Sequence, residues 1–339
     1  MKRLAAHRGV ALITAMLVTA LAATTAVALS SRQQLDVRRT ANVMAADQAY
    51  LYGLGIETVA TELLGAYSRE YNYDDPAVIY QAYTFPVDGG LVEGALQDMN
   101  ARFNINNLVK SGGDGEQPPQ VNSVQRERFR RLLERVLNRL GDDPGRAEGL
   151  VNAVIDWLDE DQEVTFPGGA EDGDYLAQDP PYRSANRSMS SASELLLVQG
   201  FDRTLLYGKT VAGETVPGLL KYVTALPDVS AAINVNTADT ELLLALSPYL
   251  DEARLEQVLA GRPFEDIGAF RNHQAFDDLK QQDRQKLQQD LQGLTVASRF
   301  FLVNANVRVG RSRLRFNSLL QRNGSRIAVV SRAQGTDGL

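Results

Sequence analysis

From Val10 to Ser30 no charged residue interrupts the chain, while Lys2, Arg3 and Arg8 stand before it. A helix over that stretch spans about 31 Å, close to the thickness of a bilayer's hydrocarbon core. Alanine and threonine dilute the run, so it is a weak but adequate membrane span, with the basic flank on the cytoplasmic side. Helical text continues beyond it. No proline occurs before Pro76, and Leu35, Val43, Ala46 and Tyr50 recur roughly on one side. The pattern therefore predicts one long helix over about 10–66. Cleavage as a secretory signal competes with this reading, because Ala26-Val27-Ala28 has the small-x-small form of a cleavage site.

Beyond Tyr67 the period changes. Aromatic residues alternate with polar ones around Pro86 and Gly89-Gly90, which reads as a short strand and turn, and a hairpin is predicted with strands near 91–95 and 98–104. Lys110–Gln120 reads as a loop. Phe129, Leu132, Leu133, Val136, Leu137 and Leu140 then recur at helical spacing, and Gly141-Asp142-Asp143-Pro144 ends that helix. Further helices are predicted over 146–158, over 191–201, and as a helix, turn, helix from 237 to 262. From Ser298 apolar residues alternate with Arg and Asn, giving three strands near 299–308, 313–321 and 326–332. Asn323-Gly324 marks the last hairpin turn.

Composition removes several kinds of chemistry. The chain has no cysteine and two histidines, of which His7 lies in the basic head. Disulfides and thiolate metal sites are excluded, and any bound metal should be a hard, oxygen-liganded one. The net charge of −7 argues against a nucleic-acid surface. No G-x-S-x-G, phosphate-binding loop, dinucleotide loop or H-E-x-x-H occurs. Ser191 and Glu194 have the spacing of a helix-capping box, so the serines around them read as structure rather than catalysis. No enzymatic activity is expected.

Charge is strongly patterned along the chain. Asp156–Asp179 holds nine carboxylates and no basic residue, and Arg299–Arg332 holds eight arginines and no acid. The acidic run contains Pro167, Gly168, Gly169 and Gly173, which permit a tight wrap. It could bring oxygens of Asp159, Asp161, Glu163, Glu171, Asp172 and Asp174 onto a hard cation, or it could be a solvated loop. The EF-hand template fails: with Asp159 first, Val164 stands at the glycine position and Ala170 at the terminal glutamate. The arginines fit the polar face of an antiparallel sheet or a contact with an acidic neighbour.

Three stretches carry a family resemblance. RGVALITAMLV resembles the start of a type IV pilin or pseudopilin, in which an inner-membrane prepilin peptidase cuts after the glycine and the new N-terminus is methylated. Here that implies cleavage between Gly9 and Val10. Most such subunits have glutamate at the fifth mature position, where this chain has Thr14. The run DWLDEDQ…GAEDGDYL…PPYRSANRSMSSASELLLV and the asparagine motifs Asn104-Ile105-Asn106 and Asn234-Val235-Asn236-Thr237 resemble the K-type minor pseudopilins of the type II secretion system. That family characteristically lacks the glutamate.

The resemblance implies an α+β, type IV pilin-like fold: a long N-terminal helix on an antiparallel sheet, with a large inserted all-α domain containing SAM-like helical units. The parts are then a leader (1–9), the transmembrane and extended helix (10–66), the first part of the sheet (67–105), the inserted domain with its acidic loop (106–295) and the last part of the sheet (296–339). It further implies Ca2+ in that loop, with Asp159, Asp161, Glu171 and Asp174 as ligands. The partners implied are I- and J-type minor pseudopilins in a tip complex that supports pseudopilus initiation and protein export, with exported substrates a further candidate. The location implied is the inner membrane, with the bulk in the periplasm. A periplasmic calcium-binding interaction module released by cleavage near Ala28 is the alternative.

Overall fold

The computed structural model describes residues 8–110 and 120–335. Residues 1–7 of the predicted leader, residues 111–119 of the predicted Lys110–Gln120 loop and residues 336–339 lie outside the described part.

Helix α1 (Arg8–Glu70) runs unbroken through the Gly9-Val10 step and past Ala28, ending slightly later than the sequence pattern predicts. Its N-terminal half is long and apolar enough to cross a membrane. The threonines that dilute this half do not leave hydroxyls unpaired: Thr14 Oγ1 lies 3.1 Å from the Val10 carbonyl and 3.0 Å from that of Ala11. Thr19, Thr24 and Thr25 bond back to their own helix in the same way. A polar group satisfied inside its helix is tolerated in hydrocarbon. Of the side predicted from Leu35, Val43, Ala46 and Tyr50, only Tyr50 packs on the sheet, edge-on to Phe316 at 5.9 Å, while the other three are exposed. Packing begins near Ala45 and uses Ala49, Ile56, Ala60 and Leu64.

That face lies on a five-stranded antiparallel sheet of β1 (Ala82–Val87), β2 (Gly90–Asp98), β3 (Phe300–Val309), β4 (Ser312–Asn323) and β5 (Arg326–Gln334), in that spatial order. β2 pairs with β3 from Gly90↔Val309 to Asp98↔Phe301, so the first and last parts of the chain share one sheet across the insertion. Two glycines bring helix and sheet close together. A Cβ on Gly53 would stand 3.0 Å from Phe316 Cγ, and one on Gly94 would stand 2.8 Å from Ile56 Cγ2. Glu57 reaches from α1 to Arg332 Nε (2.7 Å) and Ser318 Oγ (2.6 Å). Burial pushes its carboxyl up, but the bonds from Arg332 and Ser318 win and hold it below the ordinary glutamate value.

The strand and turn predicted around Pro86 and Gly89-Gly90 form the hairpin itself, in place of the predicted 91–95 and 98–104 pair. Its strands are 82–87 and 90–98, and the chain leaves the sheet at Met99. Phe103-Asn104 instead pairs in parallel with Val223-Thr224, so the insertion begins before residue 106. Pro86 is compatible with β1 because β1 is an edge strand, where a missing donor costs no ladder bond.

The inserted part is mainly helical, with α2 (Ser123–Arg139), α3 (Ala147–Leu158), α4 (Asp172–Leu176), α5 (Thr240–Leu246), α6 (Glu252–Leu259) and α7 (Gln281–Asp290) among its elements. The predicted 191–201 helix is a shorter 3-10 stretch, Ala192–Leu197, and Ser191 and Glu194 do cap it. Both asparagine motifs follow a short parallel pairing and staple distant loops. Asn106 Nδ2 donates to Met189 and Leu226 carbonyls at 2.9 Å, and Asn236 exchanges bonds with the Phe264 backbone. Asp239 caps α5, while Thr237 turns its hydroxyl to Asp98.

Candidate metal centre

Helix α3 is buried along most of its length, and its last turn delivers Asp156 and then Asp159 at its C-cap. Trp157 between them is a core residue, packed edge-on against Tyr175 at 5.2 Å. The loop after Asp159 folds back onto α3. Asp156, fully buried, accepts the Thr165 backbone N–H at 3.0 Å, and Asn152 Nδ2 donates to the Pro167 carbonyl at 2.8 Å. Gly168 sits at φ +79 against Gly149, and a Cβ on it would come within 2.7 Å of Gly149 Cα. The predicted tight wrap thus rests on glycine-to-glycine contact.

The wrap gathers carboxylates. Asp159, Asp161 and Glu171 each bring an oxygen into a group whose members all lie within 4.8 Å of one another. Glu171 is buried and Asp161 is exposed, so the group opens to solvent on one side. Asp174 faces elsewhere: its Oδ2 accepts the Glu171 backbone N–H at 3.1 Å. Asp172 is occupied by Arg183 at 2.6 Å and Ser184 at 2.9 Å, tying α4 to the following segment.

Two oxygens of this group have no hydrogen-bond partner, although Glu171 Oε2 accepts from Ser184 Oγ at 3.4 Å and Asp161 Oδ1 accepts the Glu163 backbone N–H at 2.8 Å. Asp159 Oδ1 and Glu171 Oε1 are buried and accept no hydrogen bond. Burial, followed by the neighbouring charge of Asp161 and Asp156, pushes Asp159 up to about 7. Burial, followed by the charges of Asp156, Asp159 and Asp161, does the same to Glu171. A buried carboxylate oxygen with no donor, on a group with no counter-charge, is costly. A hard cation with oxygen ligands removes both penalties, and the all-oxygen donor set suits calcium.

Sequence reasoning missed two contributors. Asp156 organises the loop from beneath through Thr165. Asn186, at φ +46, places its amide 3.5 Å from the Asp161 carbonyl and leaves its own buried Oδ1 unpaired. Asparagine tolerates that left-handed conformation better than most residues, but nothing in the local sequence shows which loop it would face.

Known proteins share this plan. Two family models, both described as Type II secretion system (T2SS), protein K, match residues 101–228 and 233–292. A Type II secretion system protein K from Pectobacterium carotovorum subsp. carotovorum is 34% identical over 343 residues, spanning 97% of this chain and 97% of its own. One from Klebsiella pneumoniae is 33% identical with the same coverage. The fold is similar to a chain in the crystal structure of the GspK-GspI-GspJ complex from the enterotoxigenic Escherichia coli Type 2 Secretion System. That likeness has a TM-score of 0.71 and 27% identity, over 88% of this chain and 99% of that one.

Proposed function

Since the chain belongs to the type II secretion system protein K family of minor pseudopilins, we propose that it caps the pseudopilus together with I- and J-type minor pseudopilins. There it helps start assembly and supports export of folded proteins across the outer membrane. The observation that carries this reading is the position of the inserted domain. Gln48 lies beside the β1–β2 turn at Asp88, so that end of the sheet is nearer the membrane span. The insertion leaves from Asp98 and returns at Phe300, at the opposite end. A shaft subunit would need another subunit where this domain stands.

The apolar part of α1 anchors the protein in the inner membrane, with the N-terminus cytoplasmic and the folded part periplasmic. Prepilin peptidase cuts after Gly9, and Val10 becomes the methylated first residue. Thr14 then stands where a shaft subunit would carry a glutamate needing a partner in the bilayer. Its hydroxyl is already bonded within its own helix, which suits a subunit with nothing above it. A free periplasmic module cut near Ala28 is not favoured, because the family is a pseudopilin family. The protein acts as a structural part rather than as an enzyme.

Asp159, Asp161 and Glu171 hold a structural calcium ion, with Asn186 beside them. The ion neutralises the buried carboxylates and pins the loop to α3. Two experiments test the assignment. The mass of the mature N-terminal peptide should correspond to methylated Val10, and the protein should co-purify with I- and J-type subunits. A terminus near Leu29 together with no association would overturn it.

A further inference from the structure

We propose that the acidic loop also carries a docking finger, Val164-Thr165-Phe166-Pro167. The Phe166 ring seats in an apolar recess, edged by arginine or lysine, on a second protein. Phe166 is 89% exposed and Val164 53%, in a domain whose other phenylalanines are largely core residues. An aromatic side chain on a backbone already fixed enters a partner's pocket with little further ordering cost.

The backbone here is fixed at both ends of the finger. The Thr165 N–H donates to the Asp156 carboxylate at 3.0 Å, its carbonyl accepts the Gly169 N–H at 2.9 Å, and the Pro167 carbonyl accepts from Asn152 at 2.8 Å. All three are bonds within the protein, so the inference stands apart from the calcium reading.

The surroundings specify the partner. Glu160 and Glu163, which are not among the calcium ligands, are exposed on the same loop, and among the described residues neither has a basic partner within salt-bridge distance. An apolar tip among such carboxylates repels acidic surfaces and anionic lipid. It favours an apolar hollow with a cationic rim, because complementary charge steers approach and excludes wrong partners.

The test places photoreactive benzoylphenylalanine at position 166 of the full chain in secreting cells and sequences the crosslinked peptide. Support is an adduct to another protein, at an apolar residue flanked by Arg or Lys. Purified full chain and the protein so identified should then bind at least tenfold more weakly with Phe166→Ser. Glu160→Lys with Glu163→Lys should weaken binding most at low salt. Melting temperature and its calcium response should stay unchanged in Phe166→Ser, which separates this proposal from the metal site. The proposal is overturned by no adduct, by an adduct to lipid, to an acidic surface or to a second copy of this chain, or by undiminished binding of Phe166→Ser.

Discussion

Arg322 and Asp74 form an ion pair at 2.9 Å with the guanidinium 8% and the carboxylate 0% exposed. Arg322 lies on β4, and Asp74 lies just beyond α1. The same guanidinium donates to the Ser298 carbonyl at 2.7 Å and sits 4.9 Å from the centre of the Phe301 ring. Asp74 Oδ2 also accepts from Asn234 Nδ2 at 3.1 Å, across the boundary with the helical domain. The pair therefore joins the end of α1, the sheet and the insertion.

Removing one partner should be severe. Arg322→Met leaves Asp74 buried and uncompensated, and the expected loss is about 3–5 kcal/mol. Adding Asp74→Asn should recover part of that loss. Chemical denaturation of the three variants measures both effects, and a loss near zero in Arg322→Met would discard this account of the junction.

Asp98, at the end of β2, shares the same pocket and should give the junction a pH dependence. Burial, followed by the charge of Asp74, raises it from 3.8 to about 6, against bonds from Ser298, Thr237 and the Asn100 N–H. Between those two values the folded state keeps a proton that the unfolded state has lost. Stability contributed by this group is thus full at low pH and falls as pH rises through the window, by on the order of 3 kcal/mol. Asp98→Asn should remove that slope. The difference in unfolding free energy between variant and wild type, followed from about pH 4 to about pH 7, isolates it from the other carboxylates. A flat difference would refute the assignment.

How much of this was legible in the sequence depended on range. The long helix, the last three strands and the capping box at Ser191 and Glu194 rest on local periodicity and spacing, and each lies close to its predicted position. The first hairpin was misplaced because Met99–Arg102 leads the chain out of the sheet, and the burial of Phe103 in the other domain has no local signature. Asp159, Asp161 and Glu171 stood out as an unneutralised run, whereas Asp174 looked equivalent and serves the Glu171 backbone. Asp74, Asp98, Asn234 and Arg322 meet only through tertiary structure, so no window of sequence joins them.

Chelation tests the metal centre directly. A ligand that binds only the folded state stabilises it by about 2.7 kcal/mol at a hundred times its dissociation constant. Excess EGTA should lower the melting temperature, and calcium should restore it. Asp159→Asn and Glu171→Gln should abolish the response. Asp174→Ala, which removes the acceptor for the Glu171 backbone N–H instead, should lower stability modestly and leave the response in place. An unchanged melting temperature with EGTA would mean that the loop holds no ion.

Two glycines in the acidic loop should respond oppositely to alanine. At Gly169 a Cβ would stand 2.2 Å from Asp156 Oδ2 and 2.3 Å from the Thr165 carbonyl. Neither neighbour is free to yield, since Asp156 is buried on α3 and holds the Thr165 N–H. Gly169→Ala should therefore lift the loop from α3, cost about 1–3 kcal/mol as an overpacked site, and weaken the calcium response by parting Glu171 from Asp159. At Gly173, in α4, nothing lies within 4 Å of a new Cβ. There alanine restricts the unfolded chain and suits the helix, so Gly173→Ala should be neutral or stabilising by about 0.5–1 kcal/mol. Thermal melts of both variants, with and without calcium, decide the matter. Equal tolerance at the two positions would show that contact between Asp156 and the returning loop does not hold the site together.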